Sequence, residues 1–138
     1  MSYKIISKYI KDISFEIPTT KAFVMLEKEI ANYSLNFEIK SNPYKDQIIE
    51  VNTLLKINPN EKIKHKILTE ITCTSLVSIE KNFNDKKELE KIILIKVPTD
   101  VYPTLYDTFI FLFKQAGIQN IKINKDVDFE KMHRERKK

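Results

Sequence analysis

The chain of 138 residues contains 42% hydrophobic and 31% charged residues, a balance that predicts one folded domain over residues 1–138. Its net charge of +5 permits a nucleic-acid partner, but part of this excess lies at the C-terminal end, which predicts a mobile, solvated basic tail over 133–138. The single glycine, Gly117, excludes glycine-rich phosphate-binding loops, and no apolar run approaches the ~20 residues of a membrane span, so we expect no membrane insertion.

Cysteine and histidine are too sparse to form a metal site. Cys73 is the only cysteine, which prevents an internal disulfide and suits a reducing cytoplasm. His65 and His133 lie far apart in sequence and lack the paired spacing of zinc ligands. The lysine-interrupted N-terminus has no small-residue cleavage site, which argues against a secretory signal. We expect no cofactor, with Cys73 in the core and His65 at the surface.

Residues 9–18 have the period-two pattern of a half-buried strand, closed by Pro18. Asp12 and Glu16 lie about 13 Å apart on its polar face. An exposed sheet face has no water-excluding pocket of the kind that raises one pKa in a catalytic carboxylate pair, so we expect no enzyme. The apolar face carries Ile13, Phe15 and Ile17, and the polar face carries Asp12, Ser14 and Glu16.

The middle of the chain alternates between helical and extended patterns. Apolar residues at helical spacing predict a short helix within 19–33, and alternation predicts a strand over 35–39. Asn42-Pro43 then predicts a turn. Alternation also predicts strands over 49–57 and 67–79.

The last of these strands has an apolar residue on its polar face. Leu68 lies on that face, two residues before Glu70, and Leu76 lies there as well. Isolated exposed leucines are ordinary on protein surfaces. A leucine beside Glu70 on the face opposite the core is also what a small docking spot would contain.

The second half of the chain has helical patterns. Asp85 has the spacing of a helix cap with Glu88 and predicts a short helix. A longer helix is expected from near Thr99–Pro103 to Gly117. This helix is apolar on all sides, which predicts that it is buried on several sides. In a chain this small, we expect a second subunit to cover part of it. An extended connector carries Ile118, Ile121 and Ile123, and Asp128 is expected to cap a last helix.

These motifs resemble those of SecB, the bacterial protein-export chaperone, from about Tyr9 to Met132. The resemblance implies an α+β fold, with a four-stranded antiparallel sheet and helices packed on one side, assembled as a homotetramer that is a dimer of dimers. It also implies that Asp12, Glu16, Leu68 and Glu70 match the docking positions for SecA, the translocation motor. The motifs are Lys-Asp-Ile-Ser-Phe-Glu-Ile-Pro over 11–18, Leu68-Thr69-Glu70, Val97-Pro98, Tyr102-Pro103, Gly117 and Asp128-Phe129.

Client binding in the SecB family uses long apolar grooves and no ATP. The resemblance therefore implies a holdase that binds unfolded preproteins and passes them to SecA. Leu35, Phe37 and Ile39 match apolar strand positions that contribute to the grooves, and Ile121 and Ile123 match the connector. Each of the five is equally well explained as an ordinary core residue.

The chain departs from the family in charge and leaves two other functions open. SecB proteins are usually acidic, whereas this chain is basic, and a basic SecA tail would be attracted less strongly. A chaperone dedicated to one partner, such as an antitoxin, is the first alternative, and a basic nucleic-acid-binding module is the second, although its aromatic residues form no stacking platform. The family also has a crossover segment over 19–33 and a glycine-containing stretch where this chain has 81–85.

Overall fold

The computed structural model describes residues 3–80, 85–119, 121, 123 and 125–136. Its four strands form one antiparallel sheet in the order β1-β4-β3-β2, with helices packed on one face, as the resemblance implies. We call this covered face the inner face and the opposite one the outer face. The elements are β1 (Tyr3–Glu16), α1 (Thr20–Glu29), β2 (Tyr33–Lys45), β3 (Ile48–Pro59), β4 (Leu68–Ile79), α2 (Lys86–Lys91), α3 (Val97–Gln115) and α4 (Phe129–Arg136).

Strand β1 begins six residues earlier than the alternation predicts, because two bulges interrupt its period. Its register against β4 shifts between Ile5 and Ser7 and again between Ile10 and Asp12, and each extra residue reverses which side chains face the core. From Asp12 onward the predicted faces are correct. Ile13 nevertheless remains 43% exposed on the inner face, since β1 is an edge strand.

The segment after β1 is both helical and a crossover, because it contains α1 and joins β1 to β2, which lie at opposite edges of the sheet. The Thr19 hydroxyl caps the helix by accepting from the Ala22 amide at 3.1 Å. Leu26 is buried as its spacing predicts, whereas Phe23 remains partly exposed. A short 3₁₀ turn over Ile30–Asn32 then leads into β2.

The turn predicted at Asn42-Pro43 is wrong. Both residues lie within β2, whose pairing with β3 continues to Lys45, and the chain reverses at Asp46-Gln47. Proline is tolerated at this position because β2 is an edge strand with one unpaired side. Gln47 takes up the reversal with a φ of 64°.

The two central strands, β3 and β4, carry the core as their alternation predicts. The inner-face residues of β3 and β4 are almost completely removed from solvent, and the buried residues of the helices pack on them in the same cluster. Burial at ~25 cal/mol per Å² of apolar surface makes this layer the main source of stability. These strand residues include Val51, Thr53, Leu55, Ile57, Ile71, Cys73 and Val77.

Helices α2 and α3 form one continuous helical segment rather than two separated helices. Asp85 caps α2, as predicted, by accepting from the amides of Lys87 and Glu88. A π-helical turn, Ile92–Lys96, then joins α2 to α3. Pro98 has no amide hydrogen, so it could not donate the regular helix hydrogen bond to the carbonyl four residues earlier, and its ring would clash with that carbonyl. A widened turn before Pro98 avoids the clash and costs no hydrogen bond that a regular helix would have made there. Helix α3 therefore begins at Val97 and not near Thr99–Pro103.

The predicted ends of the last two helices are confirmed. Gly117 follows α3 with a φ of 96°, and the Asp128 carboxylate accepts from the Lys131 amide at the start of α4. Helix α4 extends to Arg136 and buries His133, so residues 133–136 of the predicted mobile tail are helical. Most of the 81–85 stretch lies outside the described residues.

Candidate functional site

The outer face of the sheet brings the four predicted docking residues together where β1 pairs with β4. Glu16 lies directly opposite Leu68, and Glu70 lies opposite Ser14 two residues further along β4. Asp12 continues the same alternation beyond Ser14. Since residues that pair directly project on the same side of a sheet, all four side chains share the outer face.

A shallow cleft lies beside Leu68 at one end of this face. Leu68 is 41% exposed, a large value for a leucine within a regular strand. The cleft has a volume of about 220 Å³, and both Glu16 and Leu68 line it. Lys56 and Lys66 line it too, so the charges around this leucine have both signs. The face therefore offers an apolar contact point within a ring of mixed charge.

Lys56 is a member of this face that the sequence-based prediction did not include. It lies on β3 directly opposite Glu70, and its Nζ is 3.3 Å from Glu70 Oε1. The Lys56 and Glu70 side chains are 40% and 32% exposed, so their attraction is partly screened by water. The alternation of β3 places Lys56 on the polar face, but its partner depends on the register between β3 and β4.

The inner face carries the predicted groove residues of β2, and Phe37 is the most buried of them. The Phe37 ring packs edge-on against Phe129 and Tyr102, with centroid distances of 5.0 and 5.7 Å. Only 8% of Phe37 is exposed. In the described arrangement Phe37 is thus part of the aromatic core that joins β2, α3 and α4.

Three shallow clefts follow one another along β2 and are lined by the other groove residues. The first has a volume of about 290 Å³ and contains both Leu35 and Ile123. The second, of about 360 Å³, separates Leu35 and Phe37 from Met132 of α4. The third, of about 300 Å³, lies between Ile39 and the α2–π segment. Ile121 packs against the core at the partly buried connector and lines none of these three clefts.

The edge of β2 supplies backbone groups beside the clefts. Arg136 donates from Nη2 to the Phe37 carbonyl at 3.4 Å, so this carbonyl points away from β3. In an antiparallel pair, alternate residues direct both backbone groups outward. Leu35 and Ile39 have the same phase as Phe37, and their backbone groups therefore also lie at the free edge. The apolar side chains beside the clefts and the backbone groups directed away from β3 therefore come from the same residues.

Comparison with known proteins identifies the family. The family model for SecB, the preprotein translocase subunit, matches residues 1–138.

The chain belongs to the SecB family.

Two relatives agree with this assignment, and one solved structure shares the fold. The chain is 42% identical to a putative protein-export protein SecB of Pelagibacter ubique, covering 98% of this chain and 96% of the relative. It is 26% identical to the protein-export protein SecB of Rhodospirillum rubrum, covering 94% and 78%. Its fold matches the SecB-like chaperone of Mycobacterium tuberculosis, solved with a ChAD peptide from the HigA1 antitoxin, at a TM-score of 0.69 and 10% identity over 91% and 88% of the two chains.

This SecB-family chain is a chaperone and not an enzyme. Burial raises the pKa of the Cys73 thiol, which keeps it protonated and unreactive within the core. Among the described residues no group of His, Cys, Asp and Glu could hold a metal ion. His65 is exposed as predicted, and His133 packs with its Nε2 3.9 Å from Glu90.

The described part of this SecB-family chain contains no helix that is long and apolar enough to cross a membrane. Its helices instead bury their apolar residues against the sheet. Other apolar side chains remain exposed, among them Val24 on α1, Leu68 on the outer face of the sheet and Phe111 on α3.

Proposed function

We propose that this protein is an ATP-independent holdase that binds unfolded preproteins in the clefts along β2 and passes them to SecA in the bacterial cytoplasm. The proposal depends mainly on one observation: the half-buried side chains of Leu35, Ile39 and Ile123 line clefts beside an unpaired strand edge. An extended client segment could place apolar side chains in the clefts and pair its backbone with that edge.

Weak contacts suffice for this kind of capture. Each cleft holds no more than a few side chains, so a single contact would be short-lived. Several contacts on one client chain reinforce one another, because the first contact raises the effective concentration of the others. Binding to the unfolded chain removes it from folding and aggregation by mass action.

The client groove is tested by aggregation of a slow-folding preprotein at stoichiometric chaperone. We expect suppression by the wild type and a several-fold weaker effect of the variant Leu35→Thr/Ile39→Thr, because both replacements remove apolar surface from the clefts. The matched control is Leu54→Thr/Leu76→Thr, which removes the same type of surface from half-buried outer-face positions. Equal effects of the two variants, or no suppression by the wild type, would contradict the groove.

The outer face is the proposed docking site for SecA. Two exposed carboxylates, Asp12 and Glu16, share the outer face with the exposed Leu68, and Glu16 lies directly opposite it, which suits a partner that has cationic groups beside an apolar contact. We expect Asp12→Asn and Leu68→Ser to weaken SecA binding in calorimetry and to leave client capture unchanged. Glu38→Gln is the control, because it removes one negative charge from the outer face at a position on β2, away from the docking residues. Loss of both activities together would indicate structural damage instead.

Self-association is the third part of the proposal. Phe111 is 60% exposed on α3, and Val24 on α1 is exposed to the same extent. A second copy would remove such surface from water, and we propose a homotetramer. Mass measurement of the wild type and of Phe111→Asp tests this: we expect a tetramer and a smaller species, respectively. A wild-type monomer at micromolar concentration would contradict it.

A chaperone dedicated to one partner is the second candidate function. The structural neighbour from Mycobacterium tuberculosis was solved with a peptide from an antitoxin. In this second candidate function, the present chain binds one peptide of a dedicated partner in its β2 clefts. Affinity capture separates the two candidates: one dominant partner favours the dedicated chaperone, and many unfolded proteins favour the general holdase.

A further inference from the structure

We propose that a cleft between α1 and the loop that connects β3 to β4 binds an acidic polypeptide segment of a partner protein. The cleft has a volume of about 400 Å³ and is lined by Lys21 of α1 and by Lys62 and Lys64 of the loop. We call it the lysine cleft. It is separate from the β2 clefts and from the four predicted docking residues, so the proposal does not depend on the client or motor function.

The loop that forms one wall is held in place at both ends. The Asn60 side chain accepts from the Lys62 amide at 2.9 Å, and the Asn60 carbonyl accepts from the Ile63 amide at 3.2 Å. The Ile67 amide donates to the Tyr33 hydroxyl at 3.1 Å. Ile63 is buried beneath the loop. These contacts fix the backbone from which the lysines project, which reduces the ordering cost of binding.

The charge of the lysine cleft is strongly positive. Three ammonium groups line it against one carboxylate, that of Glu29. The salt bridges among the described residues use Lys56, Lys96 and His133, and none of the three cleft lysines takes part in one. Like charges that converge on one cleft and outnumber the single counter-charge favour an anionic occupant.

The floor of the lysine cleft distinguishes a peptide from a nucleic acid. Met25 and Ile63 provide an apolar floor, and the lining residues include no Phe, Tyr or Trp, so the imidazole of His65 is the single ring among them and forms no stacking platform. Single-stranded nucleic acids bind by stacking their bases on aromatic side chains along a basic groove. A methionine instead adapts to apolar side chains of varied shape. The chemistry that fits best is an apolar residue with carboxylates on both sides.

The test uses a short fluorescein-labelled peptide in which Glu and Asp flank one central Leu, with fluorescence anisotropy at low salt. We expect Lys62→Glu/Lys64→Glu to weaken binding on the order of tenfold, because two exposed attractions become repulsions. Lys40→Glu/Lys131→Glu is the control, because it lowers the net charge by the same amount at exposed positions outside the cleft. Replacing the central Leu by Ser should also weaken binding to the wild type.

Three outcomes would overturn the proposal. Equal losses in the two double variants would mean that the peptide is attracted only by the overall basic charge. Equal affinity for the Leu and Ser peptides, with tighter binding of a polythymidine strand, would favour nucleic acid. No binding to the wild type would exclude the site. Circular dichroism and thermal melting of each variant exclude unfolding, and Met25→Gln provides a variant that removes apolar floor without changing charge.

Discussion

The sequence explains Phe37 equally well as a core residue and as a client contact. The structure buries its ring between Phe129 and Tyr102 with 8% exposed. A phenylalanine side chain buries about 150–250 Å², which at ~25 cal/mol per Å² corresponds to an upper estimate of roughly 3.5–6 kcal/mol. Measured Phe→Ala changes in cores cost about 3–5 kcal/mol, so we expect Phe37→Ala to remove a large part of the total stability.

A second substitution at Phe37 tests the aromatic contacts. Phe37→Leu keeps most of the apolar volume and removes the ring pairs, each of which contributes about 0.5–1.5 kcal/mol. We expect a loss of about 1–2 kcal/mol for Phe37→Leu. By contrast, Leu35 occupies a half-buried cleft position. We expect Leu35→Thr to lower the unfolding free energy less than Phe37→Ala does and to weaken client binding more.

The assay is urea denaturation followed by circular dichroism at one fixed protomer concentration, because the proposed self-association would make apparent stability depend on concentration. The slope of the unfolding free energy with urea should stay constant across the series. A loss of less than ~1 kcal/mol for Phe37→Ala, together with loss of client capture, would refute the reasoning. Phe37 would then be an accessible groove residue that the clients cover.

Three further predictions concern other parts of the fold. Gly117→Ala should lower the unfolding free energy by about 1–2 kcal/mol, because the φ of 96° is unfavourable for alanine, and Gly117→Asn should cost less in the same urea assay. Burial raises the pKa of Tyr102 from 10.0 to about 12, so its stabilising contribution is complete below pH 10 and is lost as the pH rises towards 12; Tyr102→Phe should reduce this loss, and an unchanged decline would contradict the assignment. A double-mutant cycle of Lys56→Ala and Glu70→Ala should give a coupling of about 0.2–1 kcal/mol that decreases with salt, whereas a coupling that salt does not alter would indicate packing instead of charge.

The sequence was most informative where alternation was uninterrupted. The buried positions of β3 and β4, the caps at Thr19, Asp85 and Asp128, and the helix end at Gly117 all follow from local rules of period and hydrogen bonding. The Thr19 cap obeys the same rule, although its signal is weaker than those of Asp85 and Asp128. Local rules succeed here because each signal and the structure it specifies lie within a few residues of one another.

Local rules failed where a neighbouring element decides the outcome. The bulges in β1 depend on its register with β4, and Pro43 is accepted within β2 because that strand lies at the sheet edge. The pairing of Lys56 with Glu70 joins residues from two strands and depends on the same register. The lysine cleft needs α1 and the β3–β4 loop side by side, which no local pattern predicts.

The amino-acid order by itself determined the alternating central strands, the helix caps and the motifs that resemble SecB, because these depend on spacing along the chain, and the antiparallel sheet followed from the resemblance. The tertiary structure decided which strands are edges, which apolar residues are core and which line clefts, because those properties depend on what packs against each residue. Phe37 and Leu35 illustrate the difference. They have the same phase on one strand, yet α3 and α4 bury the first and leave the second at the rim of a cleft.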